Sequence, residues 1–433
     1  MLQGRTTSDI ARQSRPDTAT KLKPWIRPAK RLEPTFTAAN WKTLLANSGA
    51  TEADKAELYD AKAQEQLERY EHNVENYIGT LRLPVGVIGP LRVNGIFAKG
   101  DFYVPLATSE AALVASYGRG ARLISSVGGA TTATLAEGVH RSPGFAFGTT
   151  TEAGLFVAWV CENFELLETA AQATTRHGKL VEISPHVEGD HVYLVFTYTT
   201  GDAAGQNMVT IATEAVCRAI EEHSPVKPLY WFVEGNFSGD KKASAMSFLS
   251  VRGRKVTASV ELPGEEIGKQ LHTTPRRMEE YWRMSALGGV MSGSIGVQGH
   301  YANGLAALYL ATGQDAACVA ESAVGVTRIE QRDGNKLFVS VTLPNVIVGT
   351  VGGGTNLPTQ SAGLNILGLK GAGRARAFGE VIAAVCLAGE LSIIGALASG
   401  QFARAHRRLA RGKASSNGKA SDVSVEAEDR SDP

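Results

Sequence analysis

The run His191-Val192-Tyr193-Leu194-Val195-Phe196-Thr197-Tyr198-Thr199 decides how the middle of the chain folds. Val192, Leu194, Phe196 and Tyr198 alternate with Tyr193, Val195 and Thr197, a period of two that predicts a strand. Working outward, residues 179–183 predict a second strand and residues 144–148 a shorter one. Between those two, residues 153–172 carry Leu155, Val157, Ala158, Val160 and Leu166 and predict a helix. On the other side, residues 205–222 place Met208, Ile211, Ala212, Ala215 and Ala219 on one helical face, and residues 229–233 predict a closing strand. The order β-α-β-β-α-β is that of a split βαβ, ferredoxin-like unit. The expected fold class is α+β, with this small unit (143–233) inserted in a larger, helix-rich domain (75–142 and 234–406). Two features of the unit suggest a phosphate ligand. Asp202-Ala203-Ala204-Gly205-Gln206-Asn207 opens the second helix, and a helix N-terminus attracts phosphates. Thr175-Arg176-His177 lies in a loop, where an arginine can hold a ribose 2′-phosphate. An ordinary cap and an ordinary loop are the plainer alternatives.

Directly after the closing strand comes Glu234-Gly235-Asn236-Phe237-Ser238-Gly239-Asp240-Lys241-Lys242. Two glycines and an Asn-x-Ser-Gly turn signal predict a loop held at a strand end. A lysine there can stand as a fixed cation where negative charge develops, with Asp240 orienting it. The competing reading is a solvated charge cluster.

With 433 residues the chain exceeds one ordinary core, so two or more domains are expected. Lys+Arg 44 against Asp+Glu 43 gives no bulk charge to draw it to nucleic acid or an anionic membrane. No apolar run is long enough to predict a bilayer span, and residues 1–30 lack the apolar centre of a signal peptide. Cys161, Cys217, Cys318 and Cys386 are isolated, which predicts reduced thiols, a cytoplasmic protein and no cysteine metal site.

Residues 1–36 are basic and proline-interrupted and read as a disordered arm, with an organelle transit peptide as the alternative. Residues 37–74 predict a helical lead-in, with Thr51 capping and Asp54 three residues on, opening a helix over 55–70. Residues 83–91 are apolar but broken by Gly and Pro, suiting extended backbone near a ligand. Glu110 is expected to open a small-residue helix over 111–122, as a dipole acid or a positioned proton donor. Arg119, Arg122 and Arg141 are surface charges or an anion clamp. Residues 255–261 and 337–343 predict strands, and residues 302–311 a helix ended by Gly313-Gln314-Asp315. An acid at a helix C-terminus opposes the dipole, which argues that Asp315 has a task. The glycines at 293–299 lack the preceding strand and following acid of a Rossmann turn, and Gly352-Gly353-Gly354 lacks the Lys-Ser/Thr of a P-loop. Residues 376–399 predict a buried apolar helix. His406 sits in a basic run before a tail, 407–433, that reads as disordered.

By its motifs the chain resembles the class I 3-hydroxy-3-methylglutaryl-coenzyme A (HMG-CoA) reductase family, without the membrane anchor of the eukaryotic forms. ENYIG, PVGVIGPL, LATSEAALVAS, GDAAGQNMVTIATEA, GNFSGDKK, GSIG with HYAN, ATGQD and VGTVGGGTNLPTQ carry the likeness in order from about Glu75 to His406. The resemblance implies NADPH-dependent four-electron reduction of an acyl-CoA thioester, HMG-CoA to mevalonate. It implies catalytic Glu110, Lys241, Asp315 and His406, and cofactor contacts at Thr175, Arg176, Asp202, Asn207 and Gly352 to Gly354. Substrate contacts are implied at Glu75, Asn76, Arg141, Glu234, Asp240 and Lys242, with no metal, in a homodimer or homotetramer whose site lies at the subunit interface. Here Lys241 stabilises an oxyanion, His406 protonates the departing thiolate, and Glu110, its pKa raised by a nearby Asp315, donates a proton to the aldehyde oxygen. The chain departs from the family where relatives carry a lysine before GSIG, since it reads Arg283-Met284-Ser285, and where relatives carry Ser, since it has Glu234. A carboxylate at 234 repels another carboxylate. A homologue acting on a different acyl-thioester, and a non-catalytic binding homologue, are the alternatives.

Overall fold

The computed structural model describes residues 37–71 and 73–400; the arm expected at 1–36, the tail at 407–433 and His406 lie outside the described residues. Two compact units divide the chain, Met1–Leu81 and Arg82–Pro433.

In the first unit, α1 (Thr37–Asn47) and α2 (Glu52–Leu58) are the main elements. Thr51 Oγ1 accepts from Asp54 N (3.2 Å) and Asp54 Oδ2 accepts from Thr51 N (2.8 Å), the expected capping box. The helix does not run on to Tyr70. Asp60 Oδ1 accepts from Lys62 N (3.0 Å), a fresh cap that breaks the run into short turns at Ala61–Gln64 and Glu68–Glu71. Buried Trp41 donates its Nε1–H to Ile78 O (2.6 Å), and Tyr70 stacks on Tyr77 with ring centres 4.9 Å apart.

The second unit is built on a continuous mixed sheet. Strand β1 (Val85–Gly95) pairs antiparallel with β2 (Lys99–Ala107), with a register shift between Ile88 and Leu91 that accommodates the Gly-Pro step. Residues 83–91 are therefore mostly sheet, not free extended backbone. Helix α3 (Leu113–Ser126) follows, then β3 (Ala130–Arg141), which pairs parallel with β1 and leads toward a small β-unit. That unit runs β4 (Gly144–Ala146), α4 (Thr150–Glu162), α5 (Phe164–Gln172), β5 (Lys179–Glu188), β6 (His191–Thr199), α6 (Gln206–His223) and β7 (Tyr230–Phe232). Its strand order is β7-β4-β6-β5, all antiparallel, the ferredoxin-like arrangement. The single helix expected over 153–172 is two, parted at Asn163, whose Nδ2 donates to Trp159 O (2.8 Å).

Beyond it come β8 (Gly253–Pro263), α7 (Pro275–Ser292), α8 (Tyr301–Thr312), β9 (Val326–Arg332), β10 (Lys336–Val346) and α9 (Ala375–Ala398). Strand β3 joins the two sheets. Residues 131–138 pair with β8, while Val139, His140 and Arg141 pair with Tyr198, Thr197 and Phe196 of β6. Sequence periodicity missed β3 because Ala, Thr and Gly give it little apolar contrast.

Helix α9 is the spine of this unit, packed on α3, β3, β8 and β10. Among the described residues it alone is long and apolar enough to cross a membrane, yet 89% of its most apolar window is buried inside the protein. Two acids fasten it there. Glu380 accepts from Phe97 N (2.9 Å), Ala98 N (2.8 Å) and Thr134 N (3.1 Å), and Glu390 from His300 N (2.7 Å) and Thr327 Oγ1 (2.7 Å). Burial holds the Glu390 carboxyl above its ordinary range, against those donors. Helix α3 lies against α9 backbone to backbone: a Cβ at Gly120 would meet Ala388 O at 1.9 Å. Gly120→Ala should therefore destabilise the fold by roughly 1–3 kcal/mol, read as a lower urea midpoint with an unchanged slope; an unchanged midpoint would refute this close approach.

Candidate active site

The loop from Glu234 to Lys242 is fixed before any ligand is considered. Gly235 N donates to Ser142 O (2.6 Å), and Phe237 packs between Tyr193 (5.4 Å) and His186 (4.7 Å). Asn236, Gly239 and Lys241 all adopt left-handed backbone, φ 63°, 72° and 55°. For a lysine this conformation is costly, and such strain concentrates at functional sites. Beneath the loop runs a chain of charges, buried at Arg141, Arg252 and Glu321 and half-buried at Glu234 and Asp240. Arg141 Nη1 reaches Glu234 Oε2 (3.2 Å) and Asp240 Oδ2 (3.0 Å), Arg252 Nη2 reaches Asp240 Oδ1 (2.7 Å), and Arg252 Nη1 binds Glu321. Ser238 Oγ also donates to Glu234 Oε2 (3.0 Å). Asp240 thus serves the arginines and does not orient the lysine, contrary to the expectation from its position beside Lys241. Removing one member of such a buried set leaves an uncompensated charge, typically at about 3–5 kcal/mol.

Lys241 turns the other way, its Nζ 2.9 Å from Asp315 Oδ2. The hydrogen bond to Asp315 raises the Lys241 pKa against the opposing effect of burial, so the ammonium stays charged. Burial pushes Asp315 upward, but hydrogen bonds from Lys241 and Ala317 N outweigh it and hold the carboxyl below its usual range. Asp315 does not end α8. Gly313, at φ 73°, takes the C-cap, and Asp315 Oδ1 accepts from Ala317 N (3.0 Å) to open the next turn. Its contact with the helix dipole is therefore favourable. Lys242 Nζ donates to Asp240 O (2.9 Å) and is exposed.

Lys241 and Asp315 line a cavity of about 320 Å³ together with the α6 N-terminus (Gln206, Asn207) and the loop Gly352 to Gly354. Three turns converge there by backbone contact. A Cβ at Gly313 would meet Gly354 O at 2.3 Å, and one at Gly349 would meet Ala204 N at 2.7 Å. Gln314 Oε1 accepts from Gly349 N (2.8 Å). At Gly352 and Gly353 a Cβ would meet nothing, so this side of the loop is open. Helix α6 has no side-chain cap at Gly205, leaving its first amides available. Thr175 Oγ1 accepts from His177 N and Gly178 N (both 3.2 Å) and contacts Met208 Sδ (3.0 Å), which borders the cavity; Arg176 is exposed. Asp202 does not line this cavity but borders another, of about 410 Å³, across the same turn.

Glu110 stands elsewhere in the chain. Helix α3 starts at Leu113, after Ala112 in left-handed backbone (φ 70°), so Glu110 precedes the helix and does not open it. Its Oε2 accepts from Asn303 Nδ2 (2.8 Å), in a cavity of about 330 Å³ with Ser116, Arg119, Arg122 and His300. That cavity shares no lining residue with the Lys241 cleft. Arg119 is anchored through Nη2 to Ser392 O (3.0 Å). Burial, then the charge of Arg122, lowers the Arg119 pKa. Glu75 and Asn76 belong to the first unit and are exposed, Asn76 at φ 52°. Sequence reasoning missed Arg252, Arg254 and Glu321; the pair of arginines flanking Gly253 was the available signal.

The cleft thus brings an uncapped helix N-terminus and a glycine loop to a lysine paired with a carboxylate. The family model for hydroxymethylglutaryl-coenzyme A reductase matches residues 39–411, and the chain belongs to that family. It is 46% identical over 342 residues to the 3-hydroxy-3-methylglutaryl-coenzyme A reductase of Methanothermobacter thermautotrophicus, covering 78% of this chain and 85% of that one. The Haloferax volcanii reductase is 46% identical over 350 residues, covering 79% and 86%. The fold is shared with the class II reductase of Streptococcus pneumoniae bound to NADPH in open conformations (TM-score 0.62, 22% identity, 80% of this chain and 95% of that chain).

His140, beside Arg141 on β3, is buried, and burial followed by the Arg252 charge pushes its pKa down from 6.5 to about 4. The unfolded chain takes up this proton first, so stability present above pH 6.5 is lost as pH falls toward 4, by up to roughly 3 kcal/mol. His140→Gln should flatten the fall in urea midpoint between pH 6.5 and 4.5; an identical pH profile would exclude this linkage.

Proposed function

We propose that the protein reduces HMG-CoA to mevalonate and coenzyme A with two equivalents of NADPH, in the cytoplasm and within isoprenoid biosynthesis. The observation that carries this reading is the Lys241–Asp315 pair, at 2.9 Å, bordering the same cleft as the Gly352 to Gly354 loop and the α6 N-terminus. The residues fit a phosphorylated dinucleotide. Open amides at Gln206 and Asn207 suit its diphosphate, Thr175 and exposed Arg176 suit a 2′-phosphate, and the Cβ-free face at Gly352 and Gly353 suits a flat ring. When bound, the dihydronicotinamide supplies the hydride for each of two reductions.

The chain's own groups divide the remaining work. The Lys241 ammonium neutralises the oxyanion formed at the thioester carbonyl, and Asp315 fixes its position. As the hemithioacetal breaks its carbon–sulfur bond, a proton passes to the thiolate from His406, which the family resemblance assigns. In the second reduction Glu110 donates a proton to the aldehyde oxygen, completing the alcohol. Glu110 and Lys241 line separate cavities in one chain, which supports a site completed by a second copy, in a homodimer or homotetramer. Exposed Leu287, Val290 and Met291 on α7 support the same reading. Arg119 and Arg122 beside Glu110 suit the anionic phosphates of an acyl-CoA.

One observation favours a second reading, a different acyl-thioester. Arg141 Nη1 already meets the two carboxylates of Glu234 and Asp240, Lys242 is tied to a main-chain carbonyl, and Met284 stands exposed where the family resemblance expects a lysine. Loss of NADPH absorbance with HMG-CoA and with a panel of uncharged acyl-CoA thioesters separates the two. Turnover of HMG-CoA is expected; turnover of the panel alone would transfer the assignment, and none with any substrate would end it. Lys241→Ala should cost about 10²- to 10³-fold in kcat without lowering the urea midpoint, and an unaffected rate would remove Lys241 from the chemistry.

A further inference from the structure

Asp202 opens the turn that leads into α6, yet its side chain is directed away from the Lys241 cleft. Oδ2 accepts from Gly373 N (2.7 Å) and Oδ1 from Ala375 N (3.0 Å). These amides begin α9, whose own N-cap residue, Arg374, provides no side-chain cap. A carboxylate distant in sequence thus closes the N-terminus of the 24-residue spine helix. The main chain of Asp202 makes a second tie, its carbonyl accepting from Thr350 N (2.9 Å). Thr350 in turn accepts from Gly371 N (3.0 Å) and donates Oγ1–H to Gly371 O (2.7 Å). Arg254, nine-tenths buried, brackets the same segments, donating to Gly201 O and to Val348 O (2.8 Å).

We infer that Asp202 is a positioning residue: it sets the spacing between the phosphate-side turn and the nicotinamide-side glycine loop without touching the dinucleotide. The inference rests on the reading of the cleft as a dinucleotide site. It follows from which surfaces the residue faces. Ala203 and Ala204 border both cavities, whereas Asp202 borders only the one shared with Gly373, Arg254 and Arg376. Burial raises the Asp202 pKa, but the amides of Gly373 and Ala375 and the charge of Arg254 outweigh it, so the clasp is ionised at neutral pH. Without it, the turn is held to the glycine loop by the Arg254 bracket, the Thr350 amide and the close approach of Gly349 to Ala204, and small misplacements of a hydride donor are costly.

Asp202→Ala and Asp202→Asn in the full chain test this. In cofactor-free protein, amide exchange at residues 373–375 should rise at least about tenfold in the alanine variant. At saturating NADPH, kcat should stay at least about tenfold down, with KM for the acyl-thioester within about twofold of wild type. Asp202→Asn, whose one carbonyl oxygen still accepts an amide, should fall between, and it supplies the same readouts if the alanine variant does not fold. Unchanged exchange with weakened NADPH binding by fluorescence titration would overturn the proposal in favour of direct contact. Faster exchange with kcat and NADPH affinity both intact would overturn it in favour of a helix cap alone. Wild-type protein that binds no NADPH would overturn the dinucleotide reading and this proposal together.

Discussion

A lysine can be aimed at a developing negative charge only if the loop that carries it is fastened from behind. Here the fastening is the largely buried alternation Glu234–Arg141–Asp240–Arg252–Glu321, which pairs the Glu234 and Asp240 carboxylates of the loop with two arginines. Each carboxylate in that series would be costly alone, and each guanidinium more so. Together they hold Lys241 in left-handed backbone, φ 55°, and leave its ammonium a single carboxylate partner, Asp315. The strained residue is also the one proposed to meet the oxyanion. That is the usual relation between an over-determined scaffold and a preorganised site.

The cleft in front of the lysine depends on a different constraint, the absence of side chains. Gly313 against Gly354 and Gly349 against Ala204 bring three main chains closer than any Cβ would permit. Where these glycines touch, they set the walls; where Gly352 and Gly353 touch nothing, they leave room. Behind both lies α9, an apolar helix kept in a polar neighbourhood by Glu380, Glu390 and the Asp202 clasp. Its apolar length alone matches a membrane span, and the two buried acids show it to be a core element of this fold.

Much of the fold was legible because its elements have contrast. The alternation at 191–199, the helix at 206–223 and the Thr51–Asp54 cap appear where periodicity or capping chemistry predicts them, but that helix buries Val209, Ala212, Thr213, Val216, Cys217 and Ile220, and leaves Ile211, expected on its apolar face, exposed. Strand β3 was not legible, since Ala, Thr and Gly satisfy strand, loop and helix alike, and α7 was missed beside it. The helix break at Asn163 and the late start of α3 after Ala112 turn on single backbone choices that periodicity averages away.

The residue types of the site were determined by sequence: a lysine after Asp240, an acid after Gly313, a triple-glycine loop and Asp202 to Asn207 at a helix start. Family motifs added that these belong to one reductase. Which acid serves which cation was decided by tertiary structure alone. Asp240 is adjacent to Lys241 in sequence, but the left-handed turn sends their side chains in opposite directions, so Asp315, 74 positions on, receives the lysine. Likewise Asp202 sits in a dinucleotide-type turn by sequence, while packing of α9 against that turn gives its carboxylate to two amides. Pairing between charges depends on direction and distance in space, and neither quantity is encoded in spacing along the chain.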